Sequence, residues 1–171
     1  MPNQNCSKKK LEDDPTFTSL RYPSATQGKI WLQRRQNIPP SKIADQLEVS
    51  RPFVSKAQRI AESRIGTLLE HAASINRVQI RHISTSYGIA IGYSAPYDSD
   101  AYILYSPSIG VQIWFDHEGQ CETCSQLVEC KQTLLKLAEE WEISIDAEDL
   151  PNDMALHLFE TIMRRLKWQI K

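Results

Sequence analysis

The spacing of hydrophobic residues along the chain changes near residue 76, from the three- and four-residue period of helices to the two-residue period of strands. Before that point, a short amphipathic helix around Ile30 and Trp31 is predicted to stop before Pro39, and a second short helix is predicted over 41–47. Ser50 is a favourable N-cap for a third helix, with Pro52 in its first turn. The N-terminal half is therefore predicted to be helical.

The third predicted helix is long and carries an apolar stripe that alternates between four- and three-residue steps. Its members are Ala61, Ile65, Leu68, Ala72 and Ile75. This heptad spacing is typical of a seam between helices. The stripe either packs on the C-terminal half of its own chain or pairs with a second copy. We favour pairing, which predicts a long linking helix and a homodimer.

After Asn76, four segments alternate or are rich in β-forming residues, and we predict strands over 78–82, 87–93, 102–105 and 111–115. Turn signals at 94–100 and 106–108 separate them, so an antiparallel meander is expected. In the second strand, Gly88, Ala90 and Gly92 leave one face bare. A packed helix is the commoner reason for such a face, and a planar ligand is the alternative.

Two further apolar stripes at helical spacing end the chain. They are Leu127, Leu134, Leu137, Ala138 and Trp141, and, after Pro151, Ala155, Leu158, Phe159, Ile162, Leu166 and Ile170. The predicted fold class is α+β, with N-terminal helices, a long linking or dimerisation helix, and a C-terminal antiparallel β-meander with helices. The predicted divisions are a flexible tail over 1–23, a helical domain over 24–76 and an α+β domain over 77–171.

Composition and charge add an asymmetry between the halves. The 171 residues are 41% hydrophobic and 24% charged, which is typical of a globular protein. The net charge of −1 combines 14 Lys and Arg against 7 Asp and Glu over 1–82 with 6 against 14 over 83–171. A basic half joined to an acidic half suggests a polyanion-binding part and a part with another role.

The expected location follows from hydropathy. No apolar run approaches the length of a membrane span, so no membrane partner is expected. The first ten residues contain Lys8, Lys9 and Lys10 without the apolar stretch of a secretory signal. We therefore expect a cytoplasmic protein, in which clustered cysteines bind metal or take part in redox chemistry rather than form disulfides.

Residues 40–59 have the pattern of a DNA-binding helix-turn-helix. Ala44 is the small residue needed where two helices cross, and its apolar anchors are Ile43, Leu47, Val49, Val54 and Ala57. The turn position that usually holds Gly, because φ is positive there, is occupied by Glu48. The predicted DNA-contacting residues lie on or near the second helix and are Arg51, Pro52, Ser55, Lys56 and Arg59, together with Lys42.

This segment resembles the helix-turn-helix of archaeal Tfx-type and sigma-region-4-like regulators. In those families a Ser-Arg-x-x-Val-Ser segment opens a long recognition helix, as Ser50-Arg51-Pro52-Phe53-Val54-Ser55 does here. The resemblance covers about residues 28–75 and implies sequence-specific binding to double-stranded DNA. It does not extend to the second half of the chain.

Three cysteines occur within ten residues, at Cys121, Cys124 and Cys130. The first two are predicted on a loop and the third in the first turn of a helix, so that all three can converge on one centre. Thiolates favour zinc, Cu(I) or iron–sulfur clusters over hard cations. Zinc would need a fourth ligand, and His117 would complete a Cys3His site.

The spacing is also similar to the cysteine run of the oxygen-sensing fumarate and nitrate reduction regulator, which implies a 4Fe–4S cluster. In that family a distant cysteine is the fourth ligand, and Cys6 is the only other cysteine of this chain. Without Cys6 one iron would stay open, or the cluster would be 3Fe–4S. An iron–sulfur cluster, a zinc ion and unliganded thiols all remain alternatives, and we favour the cluster.

These features predict a transcriptional regulator rather than an enzyme. It is expected to bind an operator as a homodimer and to sense redox state or a small-molecule effector through a cysteine-held iron–sulfur cluster. The alternative keeps DNA binding, with a structural Cys3His zinc site and a protein-interaction domain. An iron–sulfur enzyme is disfavoured because the sequence has no Ser/His/Asp set, phosphate-binding loop or paired-carboxylate motif.

Overall fold

A computed structural model of the chain describes residues 20–116 and 119–168. Its elements in chain order are α1 (Ala25–Arg35), α2 (Pro40–Leu47), α3 (Arg51–Ile75), β1 (Val78–Ser84), β2 (Ile89–Ser94), β3 (Ser99–Ser106), β4 (Gly110–Phe115), a 3-10 turn (Cys121–Thr123), α4 (Leu127–Trp141) and α5 (Pro151–Leu166). Mixed helices and one antiparallel sheet confirm an α+β fold. In the described part of the chain, no helix has the length and apolar character to cross a membrane.

The helix boundaries follow from local sequence. Ser24 and Gln27 form a reciprocal capping box at the start of α1. The hydroxyl of Ser50 accepts a hydrogen bond from the Phe53 N–H at the start of α3, as predicted, and Pro52 lies in the first turn. Proline is also the first residue of α2 and α5, a position at which a backbone N–H would make no hydrogen bond within the helix.

The four strands form an antiparallel sheet in the order β1-β2-β3-β4. The predicted meander is therefore confirmed, although the strands are shifted by one to three residues at their ends. β2 begins at Ile89 rather than Tyr87 because Gly88 has a φ of +69° and belongs to the preceding turn. β1 extends beyond His82 to Ser84, and Ser99 and Asp100, expected in a turn, begin β3.

Helices cover both faces of the sheet, giving three layers. On one face, Ala90, Ala101, Ile103 and Tyr105 pack with Trp31 of α1 and with a row of α3 residues that includes Ile65 and Leu69. On the other face, Ile89, Ile91, Tyr102 and Leu104 pack with the predicted stripes of α4 and α5. Ile170 of the last stripe lies outside the described residues.

Helix packing explains two of the three small residues predicted on the bare face of the second strand, whereas a Cβ at Gly92 would collide with the Gln79 backbone of β1. Ala90 is fully buried under α3, and a Cβ at Gly88 would lie 2.6 Å from the Trp31 ring. Small residues on this face allow helices to approach the sheet closely, which is the commoner of the two explanations given by the sequence.

The α3 stripe corrects the expectation of a dimer seam. Ala61, Ile65 and Leu68 are at most 5% exposed and pack on the sheet of their own chain, whereas Ile75 is 66% exposed. A surface already buried within one chain cannot pair with another. The prediction that this stripe forms the homodimer is therefore wrong, and the long helix joins the halves by packing on the sheet.

The segment expected to be a tail also needs correction at its end. Within its described part, the Tyr22 carbonyl accepts a hydrogen bond of 3.1 Å from Arg64 of α3. The Tyr22 ring lies near Tyr105 and would be 3.5 Å from a Cβ at Gly110. Tyr22 therefore contacts the fold although it is 54% exposed, while the rest of the predicted tail, over 1–19, lies outside the described residues.

Candidate functional site

The α2–α3 pair is held by a small separate core. Ile43, Ala44, Val54 and Ala57 are buried together with Ile30 of α1, and Ile38, Leu47 and Val49 pack at its edge. Every apolar anchor predicted from the sequence therefore belongs to this core. Ala44 is 4% exposed, as expected of a small residue between two closely packed helices.

The connection between α2 and α3 is only three residues long. It begins with Glu48, which adopts a left-handed conformation with φ 54° and ψ 42°. The positive φ predicted at this position is confirmed, even though the residue is not Gly. The Val49 N–H then bonds to the Ala44 carbonyl at 3.0 Å, so α2 ends with its last carbonyls partly satisfied.

The polar residues predicted to contact DNA all face outward. Arg51, Pro52, Ser55, Lys56 and Arg59 are exposed in the first two turns or so of α3, and Lys42 is exposed on α2. Residues 51, 55 and 59 are four apart and share one side of the helix. Asp45 and Glu48 are exposed on α2 and the connection, so the basic surface is confined mainly to α3.

The side of α3 next to these residues is tied to α1 by polar contacts. Arg34 donates from Nε to Gln58 Oε1 at 3.1 Å and from a terminal nitrogen to the Ile38 carbonyl at 2.8 Å. Gln58 in turn donates to Glu62 at 2.9 Å. These bonds fix the position of α1 relative to the start of α3.

The three cysteines of the C-terminal half line one small cavity of about 130 Å³, together with Trp114, Leu127 and Pro151. Cys130 lies in the first turn of α4, as predicted, whereas Cys121, expected on a loop, begins the 3-10 turn that Cys124 follows. Cys121 and Cys130 are partly buried, and Cys124 is exposed. The α4 helix itself begins at Leu127.

Burial raises the pKa of the Cys130 thiol, and the neighbouring Cys124, Cys121 and Glu129 raise it further. Three thiolates in this cavity would repel one another, and a bound cation would offset that repulsion. The donor set thus suits a soft, thiolate-binding metal centre.

The three sulfur atoms share the cavity without converging on a single point. In the described part of the chain, no group of three or more His, Cys, Asp or Glu side chains is arranged to hold a metal ion. A bound ion or cluster would therefore have to pull the three sulfur atoms closer. The two candidates for a fourth ligand, Cys6 and His117, lie outside the described residues.

A second polar cluster was not predicted from the sequence. The Arg35 guanidinium lies between the rings of Trp31 and Trp141, 4.9 and 4.5 Å from their centroids. It donates to the backbone carbonyl of Glu140 at 2.7 Å, and its burial lowers its pKa to about 10. Glu140 itself is buried, with 8% of its surface exposed.

Glu140 is held by Ser106, the last residue of β3, and by Ser108 in the turn that follows. Its Oε1 accepts hydrogen bonds from Ser106 at 2.7 Å and from Ser108 at 2.5 Å. The only local signal for this cluster is that Trp31 and Arg35 are four residues apart on a helix. Their partner on α4 lies about a hundred residues away in the chain, and sequence spacing does not reveal such pairs.

Comparisons with known protein families, curated proteins and solved structures found no match.

Proposed function

We propose that this protein is a cytoplasmic, sequence-specific DNA-binding transcriptional regulator and not an enzyme. Residues 40–59 act as a helix-turn-helix, as the resemblance to Tfx-type and sigma-region-4-like regulators implies. The C-terminal half senses redox state or a small molecule through an iron–sulfur cluster bound by Cys121, Cys124 and Cys130. Two copies bind one operator.

The exposed basic surface at the start of α3 carries this proposal. Arg51 occupies the first helical position, where the helix dipole also favours a phosphate. Lys56 and Arg59 extend the positive charge along the helix, and Lys42 is exposed on α2. A helix that enters the major groove by its N-terminal end, with a preceding helix across the backbone, uses residues in these positions.

The two arginines are expected to differ in role, which gives the test of DNA binding. Operators are first selected from random duplexes with the wild-type protein. Arg51→Ala should then lose about 1–3 kcal/mol on the selected sequence and discriminate less between sequences, because an Arg can pair with both acceptors of guanine. Arg59→Ala should weaken binding to selected and random DNA alike and reduce the salt dependence.

Arg164→Ala is the matched control, since it removes an arginine that is also exposed, from α5. It should leave both affinities within twofold. Selection that enriches no sequence, or equal losses for Arg51→Ala and Arg164→Ala, would contradict the assignment of α3 as the DNA-reading helix.

The cysteine cavity supports the sensing half of the proposal. It gathers three thiols beside apolar side chains, with Cys121 and Cys130 partly shielded from water. Protein purified without oxygen should be brown and contain iron and sulfide. Colourless protein with one zinc per chain would support the alternative, a structural zinc site completed by His117, and protein with neither metal would contradict both.

A further inference from the structure

A second cavity, which we call the β4–α4 cavity, adjoins the cysteine cavity. Its volume is about 230 Å³. Its apolar lining includes Leu104, Leu137 and Phe159, which are at most 3% exposed and belong to the core under α4 and α5. Trp114 and Cys130 line both cavities, so the two share a wall.

Small side chains on α4 account for the β4–α4 cavity. Cys130, Thr133 and Leu137 are three and four residues apart, so they share one side of the helix, and all three line the cavity. The main packing partner of α4 is α5 rather than β4. Cys130 and Thr133 leave space that a larger side chain would fill, because interiors are otherwise closely packed. A larger residue at either position should therefore close the cavity.

The size of the β4–α4 cavity limits what it can hold. An apolar protein cavity of about 150 Å³ takes up benzene, and sites for drug-sized ligands usually exceed about 300 Å³. A volume of about 230 Å³ lies between these and suits a compound of one or two fused rings. Trp114 and Phe159 contribute aromatic rings tilted by 51° to each other, which favours contact with a flat aromatic ligand.

The polar part of the lining selects against negative charge. It consists of Gln112, Gln126, Glu129, Cys130 and Thr133. Among the described residues that line the cavity there is no lysine or arginine, so an anion would lose water without gaining a cationic partner. Amide, hydroxyl and carboxylate oxygens can accept a hydrogen bond from a ligand N–H or O–H.

We propose that the β4–α4 cavity binds a small, neutral aromatic compound that carries a hydrogen-bond donor. The bound ring lies between α4 and β4 and contacts Cys130, one of the three proposed cluster ligands. A small-molecule signal and the state of the cysteines thus act on the same residue at the start of α4. As a regulatory site the cavity rests on the proposed function, but ligand binding itself requires neither DNA nor a metal. The two proposals can therefore fail separately.

Indole is the probe, because it is a neutral compound of two fused rings with one N–H donor. Calorimetric titration into the full-length protein, without DNA, should give a dissociation constant below about 1 mM, an ordinary affinity for so few atoms. The metal content of each sample is measured separately. An indole carboxylate, which adds a negative charge to the same rings, should bind at least about tenfold more weakly.

Methyl NMR spectra locate the bound indole. Resonances of Leu104 and Leu137 should shift and show nuclear Overhauser effects to indole protons. The methyl groups of Ile65 and Leu69 are the internal control, since they are buried on the opposite face of the sheet and should not shift.

Thr133→Phe places a ring in the cavity and should abolish indole binding. Thr133→Val is the matched control, because it keeps the size of the side chain and should retain binding. Thermal unfolding shows whether both variants fold, and nuclear Overhauser effects between the introduced ring and Leu137 show whether the ring occupies the cavity.

Wild-type protein that gives no heat of binding and no methyl shifts up to the solubility limit of indole would overturn the proposal. Shifts at Ile65 and Leu69 instead of Leu104 and Leu137 would overturn it as well. Equal affinities for indole and its carboxylate would overturn the assignment to neutral ligands. Unchanged binding by folded Thr133→Phe, with its ring in contact with Leu137, would place the ligand elsewhere.

Discussion

Gly88 and Gly110 both have a left-handed backbone, with φ of 69° and 79°, but only one of them is crowded. A Cβ at residue 88 would lie 2.6 Å from the Trp31 ring, whereas a Cβ at residue 110 would be in ordinary contact with Tyr22 at 3.5 Å. Each alanine substitution incurs backbone strain of about 1 kcal/mol, and the clash at residue 88 adds about 2 kcal/mol.

Urea unfolding of the two variants should therefore show Gly88→Ala to be the less stable by about 2 kcal/mol. Trp31 is almost fully buried between α1 and the sheet, so its ring has little room to move aside. Equal losses in the two variants would show that the ring accommodates the methyl group and that only the backbone matters.

Two buried tyrosines make the stability of the folded protein depend on pH in the alkaline range. Burial, together with the charges of Asp116 and Asp100, raises the pKa of Tyr102 to about 12. Burial and Glu140 raise the pKa of Tyr105 to about 12 as well. Because tyrosine in an unfolded chain ionises near pH 10, the stabilisation from these uncharged phenols is complete below about pH 10 and is lost towards pH 12.

Tyr102→Phe isolates one of these groups. The variant should lose one late component of the tyrosinate absorbance titration. Above pH 10 its free energy of unfolding should also fall less than that of the wild type, and the difference between the two decreases should be about 2 kcal/mol at most. Arg35, whose pKa is lowered to about 10, acts in the opposite direction but is common to both proteins. If the variant instead loses amplitude from the main component near pH 10, Tyr102 ionises with the exposed tyrosines and the prediction is wrong.

At the scale of elements, α3 gives a direct test of the packing that replaced the predicted seam. Leu68 is 5% exposed on the sheet, and Ile75, from the same sequence stripe, is 66% exposed. Leu68→Ala should lower the free energy of unfolding by about 2–5 kcal/mol, whereas Ile75→Ala should change it by less than about 0.5 kcal/mol. Chemical unfolding at two protein concentrations would measure this. Similar losses for both, growing with dilution, would restore an intermolecular seam.

Local signals are sufficient to predict most elements but not their partners. The Ser50 cap, the prolines and the two-residue alternation after Asn76 act within a few residues, and each marks an element that the structure contains. The stripe on α3 is plainly apolar, yet nothing in its spacing distinguishes a second helix from a sheet as its partner. The sandwich of Arg35 between two tryptophans escapes prediction for the same reason, because Trp141 lies 106 residues further along the chain.

At the scale of the whole molecule, α4 spans the distance between the cysteine cavity and the N-terminal helices. Cys130 lies in its first turn, and its last carbonyls, at the other end of a helix about 22 Å long, accept hydrogen bonds from Arg35 and Arg165. Arg35 belongs to α1, which shares a core with α2 and α3. A change at the cysteines that shifts α4 would therefore reach the proposed DNA-binding helices through Arg35.

This route predicts that the effect of the cysteines on DNA binding depends on Arg35. Cys124→Ser should abolish the brown colour and change operator affinity by tenfold or more, since allosteric coupling energies are typically about 1–3 kcal/mol. Cys6→Ser should have a smaller effect if Cys6 is not a ligand.

In an Arg35→Lys background the same Cys124→Ser substitution should change operator affinity by less than threefold, because lysine cannot reproduce the stacked and forked contacts of the Arg35 guanidinium. Binding is measured with cluster-loaded, air-exposed and variant proteins at one salt concentration. Equal affinities of the cluster-loaded, air-exposed and Cys124→Ser proteins would remove the sensing role, and an equal shift in both backgrounds would show that coupling bypasses α1.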